Sequence, residues 1–518
     1  MTGNKEQQYR FSEAPIWELQ RTYYEEQGLK AWNNDQVPQY ITSNPMIATA
    51  YAEMIFGFLQ DRAGQGHLSE TVTILELGAG AGRLAFHVLK KLCEIVDYAD
   101  IPLPPFRYVM SDLPSKNISS WQQHPSLLPY VKQGILDFAR FDAVQDVELH
   151  LVHAKLSIRP GDLQQPLVIV ANYFFDSIPQ ELIYVDEGKI YECEVSIQYS
   201  AEVDPDNPSD ALGKIIPQYH YRRAASYEEE TYPYHDVIAL YQQKLEDSHI
   251  LFPVVGLTCL ERLARLSTEG FVLLTADKGD HRLENWEFAE PPLLIHHGSF
   301  SLTANYHAIE HVLKQKGAHS IFTSHHYKNL NIGCILMLPT PLSYTNTRLG
   351  YKRFIERFGP DDFFSMKEWM DQQLDTMGLQ QILAFWRLGG YDAEWFIHSA
   401  EQISELLPSA SDEEMLDLQR GIQLMWTGYY PMEQSYDLSL DAGLLLYEMD
   451  KFAEALVYLE RSMHANTEEP LASVLYSMAI CNYELGAEAA ALEYARRALA
   501  AEPDNEVVLE LLTALSEE

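Results

Sequence analysis

"TILELGAGAGRL", residues 73–84, decides how the rest of the chain is read. A short run of apolar and β-branched residues carries one acid, Glu76, and breaks into Gly78, Gly80 and Gly82. The helical pattern "RLAFHVLKKLCEIV" follows at once. Strand, bare turn and helix in that order predict a ligand-holding turn at the carboxyl end of a buried strand. A phosphate loop would end in Gly-Lys-Ser/Thr, and Arg83-Leu84 supply neither the lysine nor the hydroxyl. A dinucleotide fingerprint would need glycine at Arg83, where the helix must pack closely beneath a pyrophosphate.

Working outward, "FRYVMSD", "PLVIVAN" and "FVLLTAD" are further apolar runs that end in polar or acidic residues. Helical patterns such as "GLTCLERLARLS" lie between them, and this alternation predicts an α/β domain with an open, mostly parallel sheet. Asn44-Pro45 is a helix start for "MIATAYAEMIFGFL". "IYECEVSIQY" alternates like an exposed antiparallel strand, and "AEVDPDNPSDALG" is a loop by composition. The expected organisation is an N-terminal helical region over residues 1–70, the α/β domain over 71–345, a helical connector over 346–430 and helical repeats over 431–518.

Composition bounds the function. The chain has 518 residues, 47% of them apolar and 22% charged, as in an ordinary globular protein of more than one domain. A formal charge of −38 repels a phosphate backbone, so nucleic acid is not an expected partner. A solvated surface explains such a charge; a basic partner is the sharper reading. Cys93, Cys193, Cys259, Cys334 and Cys481 are scattered without a C-x-x-C pair, which argues against structural zinc or a disulfide framework. With a polar start, "MTGNKEQQYRFSEAP", and no run long enough to span a membrane, the expected location is cytoplasmic.

Two C-terminal segments resemble each other: "GLLLYEMDKFAEALVYLERSMHAN" and "SMAICNYELGAEAAALEYARRALAAEPDN". Setting Ala455 on Ala491 gives a period of about 36, near the 34 of tetratricopeptide repeats. Gly443, Ala455, Ala479, Ala491 and Ala498 would let paired helices approach, and Pro503 closes the second unit. "LAFWRLGGYDAEWF" reads as a degenerate earlier copy. The alternative is a generic helical bundle. Repeats of this kind imply a protein partner or substrate.

An acid at the strand end followed by G-x-G-x-G resembles motif I of class I S-adenosylmethionine (SAM) methyltransferases. On that resemblance Gly78, Gly80 and Gly82 let the amino-acid part of SAM lie against bare backbone, while Glu76 organises the turn and the ligand's ammonium. Asp112 would accept from the ribose hydroxyls, and Asp137, with Phe138 beside the ring, would take the adenine amino group. "IVANYFFDSIPQEL" should overlook the sulfonium, with Asn172 also on the cofactor side. Methyl transfer is an in-line displacement helped by a group that orients the nucleophile and receives its proton, and Asn172 or Asp176 is placed to do so. Tyr173, Phe174 and Phe175 would exclude water; the other reading makes these aromatics core and Asp176 a cap.

"YITSNP", "ELGAGAGRLA", "ANYFFDSIPQEL", "LLTADKG", "GSFSLTANYHAI" and "LNIGCIL" occur in an order that resembles the MidA-type SAM methyltransferases. These include the mitochondrial arginine methyltransferase that assists complex I assembly. The resemblance runs from about residue 15 to 340. It implies a Rossmann-like domain, SAM as cofactor with S-adenosylhomocysteine as product, and protein methylation. The chain departs from the family pattern at Tyr173 (usually Glu), Lys278 (usually Tyr) and Ser301 (usually Asp). A guanidinium is held best by fixed carboxylates, so these changes bear on arginine as the acceptor and leave SAM binding untouched. A small-molecule acceptor, or an inactive fold serving as an assembly scaffold, are the alternatives.

His296, His297, His307, His311, His325 and His326 crowd one region, and His307 and His311 share a helix face. Without acidic or cysteine partners at ligand spacing they read as ordinary histidines, and no metal is expected.

Overall fold

The computed structural model describes residues 7–33, 39–204, 207–432, 436–465 and 471–517. The chain divides into two compact units, Met1–Met366 and Lys367–Glu518.

In the first unit, helix α1 (Pro15–Gln27) is followed by α2 (Pro45–Gly64). Asn44 caps α2 by accepting from the Met46 and Ile47 amides at 2.8 and 3.2 Å, with Pro45 opening the first turn. The central sheet begins with β1 (Val72–Leu77), which feeds α3 (Arg83–Ala99) through the glycine turn. It continues with β2 (Phe106–Asp112), β3 (Leu136–Arg140), β4 (Leu167–Asn172), β5 (Phe271–Asp277), β6 (His319–Phe322) and β7 (Asn331–Met337). The order across the sheet is β6-β7-β5-β4-β1-β2-β3. β7 runs antiparallel to both its neighbours, and the remaining pairs are parallel. Every residue of β1 and of β5 is buried, which is why their sequences are mainly apolar, with Glu76 and Asp277 the acids buried in them. The direction of winding reverses between β1 and β4, so a crevice opens beyond their carboxyl ends.

A second, antiparallel sheet joins Tyr9–Arg10, Lys189–Tyr199, Glu181–Asp186 and Ser248–Phe252, with Ile215–Arg223 also on Lys189–Tyr199. "IYECEVSIQY" is antiparallel as its alternation predicts, but it lies inside this sheet, and Ile190, Cys193 and Val195 are buried. Part of the expected loop is a helix, Pro208–Lys214. Asn207 accepts from the Asp210 amide at 3.1 Å, so Asn-Pro begins a helix rather than a turn. Residues 205–206 of that stretch lie outside the described residues.

The first unit continues past the Pro339–Pro341 stretch because helix α4 (Thr345–Tyr351) packs on α2. The buried Asp61 carboxylate accepts from the amide and side-chain nitrogen of Asn346 and from the amide and hydroxyl of Thr347, all within 3.0 Å. A Cβ at Gly57 would meet the Asn346 carbonyl carbon at 2.7 Å, so the two helices touch backbone to backbone.

Among its described residues, the regular structure of the second unit is helical. Helices α5 (Leu438–Glu448) and α6 (Phe452–Ala465) pair, as do α7 (Ala472–Glu484) and α8 (Glu488–Ala501), and α9 (Glu506–Glu517) packs on α8. Ala455, Ala479, Ala491 and Ala498 are fully buried, and a Cβ at Gly443 would press into Leu459 at 2.7 Å. Among the described residues no helix is long and apolar enough to cross a membrane.

Candidate active site

A cavity of about 400 Å³ opens at the carboxyl ends of β1 and β4. Its floor is the glycine turn. Gly78, Gly80 and Gly82 have φ of 63°, 54° and 85°, a left-handed region in which a Cβ is strained, so glycine is required at each step. Gly78 and Gly80 line the cavity; Gly82 lies just beyond it as the N-cap of α3, between lining residues Ala81 and Arg83. The turn is held from both sides. The Gly80 amide donates to Asp112 Oδ2 at 2.9 Å, and Trp121 Nε1 donates to the Gly80 carbonyl at 3.1 Å.

Glu76 lines the cavity although it is only 3% exposed. Its carboxyl accepts from the Tyr108 hydroxyl at 3.0 Å, and burial pushes its pKa up to about 8. Asp112 also lines the cavity, at the end of β2. Its carboxylate accepts from the Gly80 and Leu113 amides and from Asn117 Nδ2, so it braces the turn as well as facing the ligand space; burial raises its pKa.

The structure does not bring Asp137 or Phe138 to the cavity. Asp137 accepts from the Phe138, His153 and Ala154 amides at 2.8, 2.8 and 2.9 Å and so holds a neighbouring loop. Phe138 is buried against Trp121, ring centroids 6.1 Å apart. The strand runs on to Arg140, and the residues at its true end, Phe141, Asp142 and Ala143, are the ones that line the wall. Asp142 is bridged there by Arg21 of α1 at 2.9 Å.

Beyond β4, Asn172, Tyr173, Phe174 and Asp176 all face the cavity. Asn172 is tied down: its Oδ1 accepts from the Tyr51 hydroxyl at 2.6 Å, and its Nδ2 donates to the Thr42 carbonyl at 3.0 Å. That makes it a rigid wall that secures the Tyr40–Ser43 helix to the sheet. Asp176 is 2% exposed and lies beside Asp277; burial raises its pKa to about 6. Phe175, by contrast, is core. Tyr173, Lys278 and Ser301, where the chain departs from the pattern it resembles, all line the same cavity.

Sequence reasoning missed the N-terminal wall. Tyr24 stacks on Trp32 with ring centroids 5.7 Å apart, Trp32 lies over Gly80, and Gln39, Thr42 and Ser43 complete this side. "YITSNP" was the available signal, for it supplies Thr42 and Ser43. Of the histidines, His307 exchanges a hydrogen bond with the Tyr241 hydroxyl at 2.9 Å, and burial lowers its pKa to about 4. The His297 side chain lies outside the described residues. None of the other five lines the cavity, and among the described residues no group of three His, Cys, Asp or Glu is spaced to hold a metal ion.

Comparison with known proteins follows the same residues. The family model described as "Putative S-adenosyl-L-methionine-dependent methyltransferase" matches residues 52–331. No curated protein matches the chain. Among solved structures, an uncharacterized protein from Burkholderia thailandensis is 13% identical with a TM-score of 0.41, covering 65% of this chain and 90% of its own. A superfamily member from Burkholderia thailandensis bound to S-adenosyl-homocysteine is 16% identical with a TM-score of 0.40, covering 61% of this chain and 74% of its own. From β1 to the start of β7 the matched span holds the glycine turn, Asp112 and the β4 end, and the chain belongs to this family of methyltransferases, whose cofactor is SAM.

Proposed function

We propose that the chain is an active class I SAM-dependent methyltransferase that modifies a protein, and that its C-terminal helix pairs act as tetratricopeptide-like repeats recruiting the substrate or a partner. One observation carries the reading: the glycine turn, Asp112 and the β4 end meet around one cavity at the point where the sheet reverses its winding. The strand order, with antiparallel β7 between β5 and β6, supports the class I assignment. The paired helices with fully buried alanines at matched positions support the repeat reading. All five cysteines are free, which suits a cytoplasmic location.

The residues present fit the cofactor. Left-handed backbone at 78 and 80 disfavours a side chain at either step, so the turn contributes main chain to the cavity lining. Glu76 is a buried acid suited to an ammonium, and Asp112 is an acceptor suited to ribose hydroxyls. When bound, SAM supplies a methyl group activated by its sulfonium. The chain's own contribution is positioning and exclusion of water, with Asn172 as a fixed wall and Asp176 as proton acceptor.

Calorimetry with S-adenosylhomocysteine tests cofactor binding, and failure to bind would remove the enzyme reading. Tritiated-methyl SAM incubated with a soluble cell extract tests the acceptor. Label in proteins is expected; label confined to metabolites would assign a small-molecule substrate, and binding without transfer would favour the scaffold.

A further inference from the structure

We infer that Asp176 and Asp277 form a carboxyl pair holding one proton between them, in which Asp176 takes the proton of a neutral N–H or O–H acceptor and Asp277 positions and tunes it; this rests on the methyltransferase reading above. The two acids are distant in sequence and meet because β4 and β5 are neighbours in the sheet. Asp277 Oδ2 accepts from the Asp176 amide at 3.2 Å, which brings the Asp277 carboxyl to Asp176. Asp176 Oδ1 accepts from the Ser177 hydroxyl at 2.6 Å, and the Leu302 amide clamps the Asp176 carbonyl at 3.1 Å. Asp277 is completely buried and its Oδ1 has no hydrogen-bond partner, so a negative charge on this carboxyl would be poorly compensated.

Two carboxylates side by side and out of water cannot both be charged. Burial raises both, and the Asp176 charge raises Asp277 further, so the pair as a unit keeps a proton that a solvated carboxyl would have lost. The other groups facing the pair leave this balance in place. Lys278 draws Asp176 down. Tyr24 from α1, Tyr51 from α2 and Tyr306 from helix Tyr306–Gln315 are buried phenols whose pKa values are raised, so they stay neutral.

Tyr173 marks the same spot. It is a bulky residue at φ 47°, a left-handed conformation that persists only when its surroundings impose it. Its amide donates to the Ala276 carbonyl at 3.0 Å, binding the β4 turn to the residue before Asp277. Its hydroxyl is buried without a hydrogen-bond partner, on a residue that lines the cavity. The acceptor's lone pair forms the new bond to the methyl carbon as the carbon–sulfur bond breaks. The bonding pair stays on sulfur and the acceptor's proton passes to Asp176. An acceptor without a proton to lose gains nothing from such a pair.

The test compares wild type with D176N, D277N and D277A. S-adenosylhomocysteine should bind all four within about threefold, since none of these side chains touches the glycine turn. At neutral pH the infrared difference spectrum of wild type against D277N, which keeps the shape of the site, should show the loss of one protonated-carboxyl band, while the band of the protonated Glu76 stays in both. Label transfer from tritiated-methyl SAM to a soluble extract should fall about 100-fold in D176N. The acid limb of its pH profile should move up in D277A, which loses the donor to Asp176, and return in D277N, whose amide restores it. If wild type binds no S-adenosylhomocysteine, the methyltransferase reading falls and this inference with it. Binding with no carboxyl band lost between wild type and D277N, or an acid limb unmoved in D277A, overturns the pair alone.

Discussion

The indole of Trp32 lies across the face of Gly80: a Cβ at residue 80 would meet its Cε2 and Cζ2 at 3.1 Å. Residue 80 is thus constrained twice, by φ 54° and by an aromatic ring. Gly80→Arg should abolish S-adenosylhomocysteine binding in calorimetry while the circular-dichroism spectrum stays that of the wild type. Gly78→Ala is the milder change, since its Cβ would meet only Phe174, at 3.6 Å, and should cost about 1 kcal/mol of strain. Binding by Gly80→Arg at wild-type affinity would place the cofactor elsewhere.

Glu76 should make stability depend on pH. Its carboxyl rises from the ordinary 4.5 to about 8 on burial, so the native state keeps a proton that the unfolded chain releases. Below about 4.5 both states are protonated and the group is neutral in its effect; as pH rises from there to about 8, stability falls. Thermal melts of E76Q across this window should show a flatter profile than wild type. If Glu76 meets the ligand's ammonium, binding at neutral pH should also release a proton, visible as a buffer-dependent heat that E76Q lacks.

Asp137 and Asp142 should separate stability from binding. Asp137→Ala strands three amides and should cost about 1–3 kcal/mol of stability with cofactor affinity unchanged. Asp142→Ala opens the Arg21 bridge in the cavity wall and should weaken S-adenosylhomocysteine about tenfold, roughly 1.4 kcal/mol. The reverse pattern in calorimetry and melting would restore Asp137 to the site.

Asp61→Ala should lower the melting temperature by several degrees, because it leaves the start of α4 without its acceptor. Gly57→Ala should act in the same direction by pushing α4 away from α2. Neither residue lines the cavity, so binding at saturating ligand should survive in both.

The central sheet was legible because its strands bury their middles on both faces and so read as short, mainly apolar runs: "FRYVMSD" and "FVLLTAD" coincide with β2 and β5 residue for residue. The turn was legible because left-handed backbone at alternate positions leaves a visible trail of glycines. Local sequence determined these features because they are set by local conformation and by burial. Which acid faces the cavity was decided by where a strand ends, and β3 carries its ligand-side residues past Asp137 to Phe141 and Asp142. The meeting of Asp176 with Asp277, and of Trp32 with Gly80, was decided only by tertiary structure. No periodicity records which strands lie side by side or which helix folds back over a turn; packing brings those residues together, and the chemistry of the site arises from that juxtaposition.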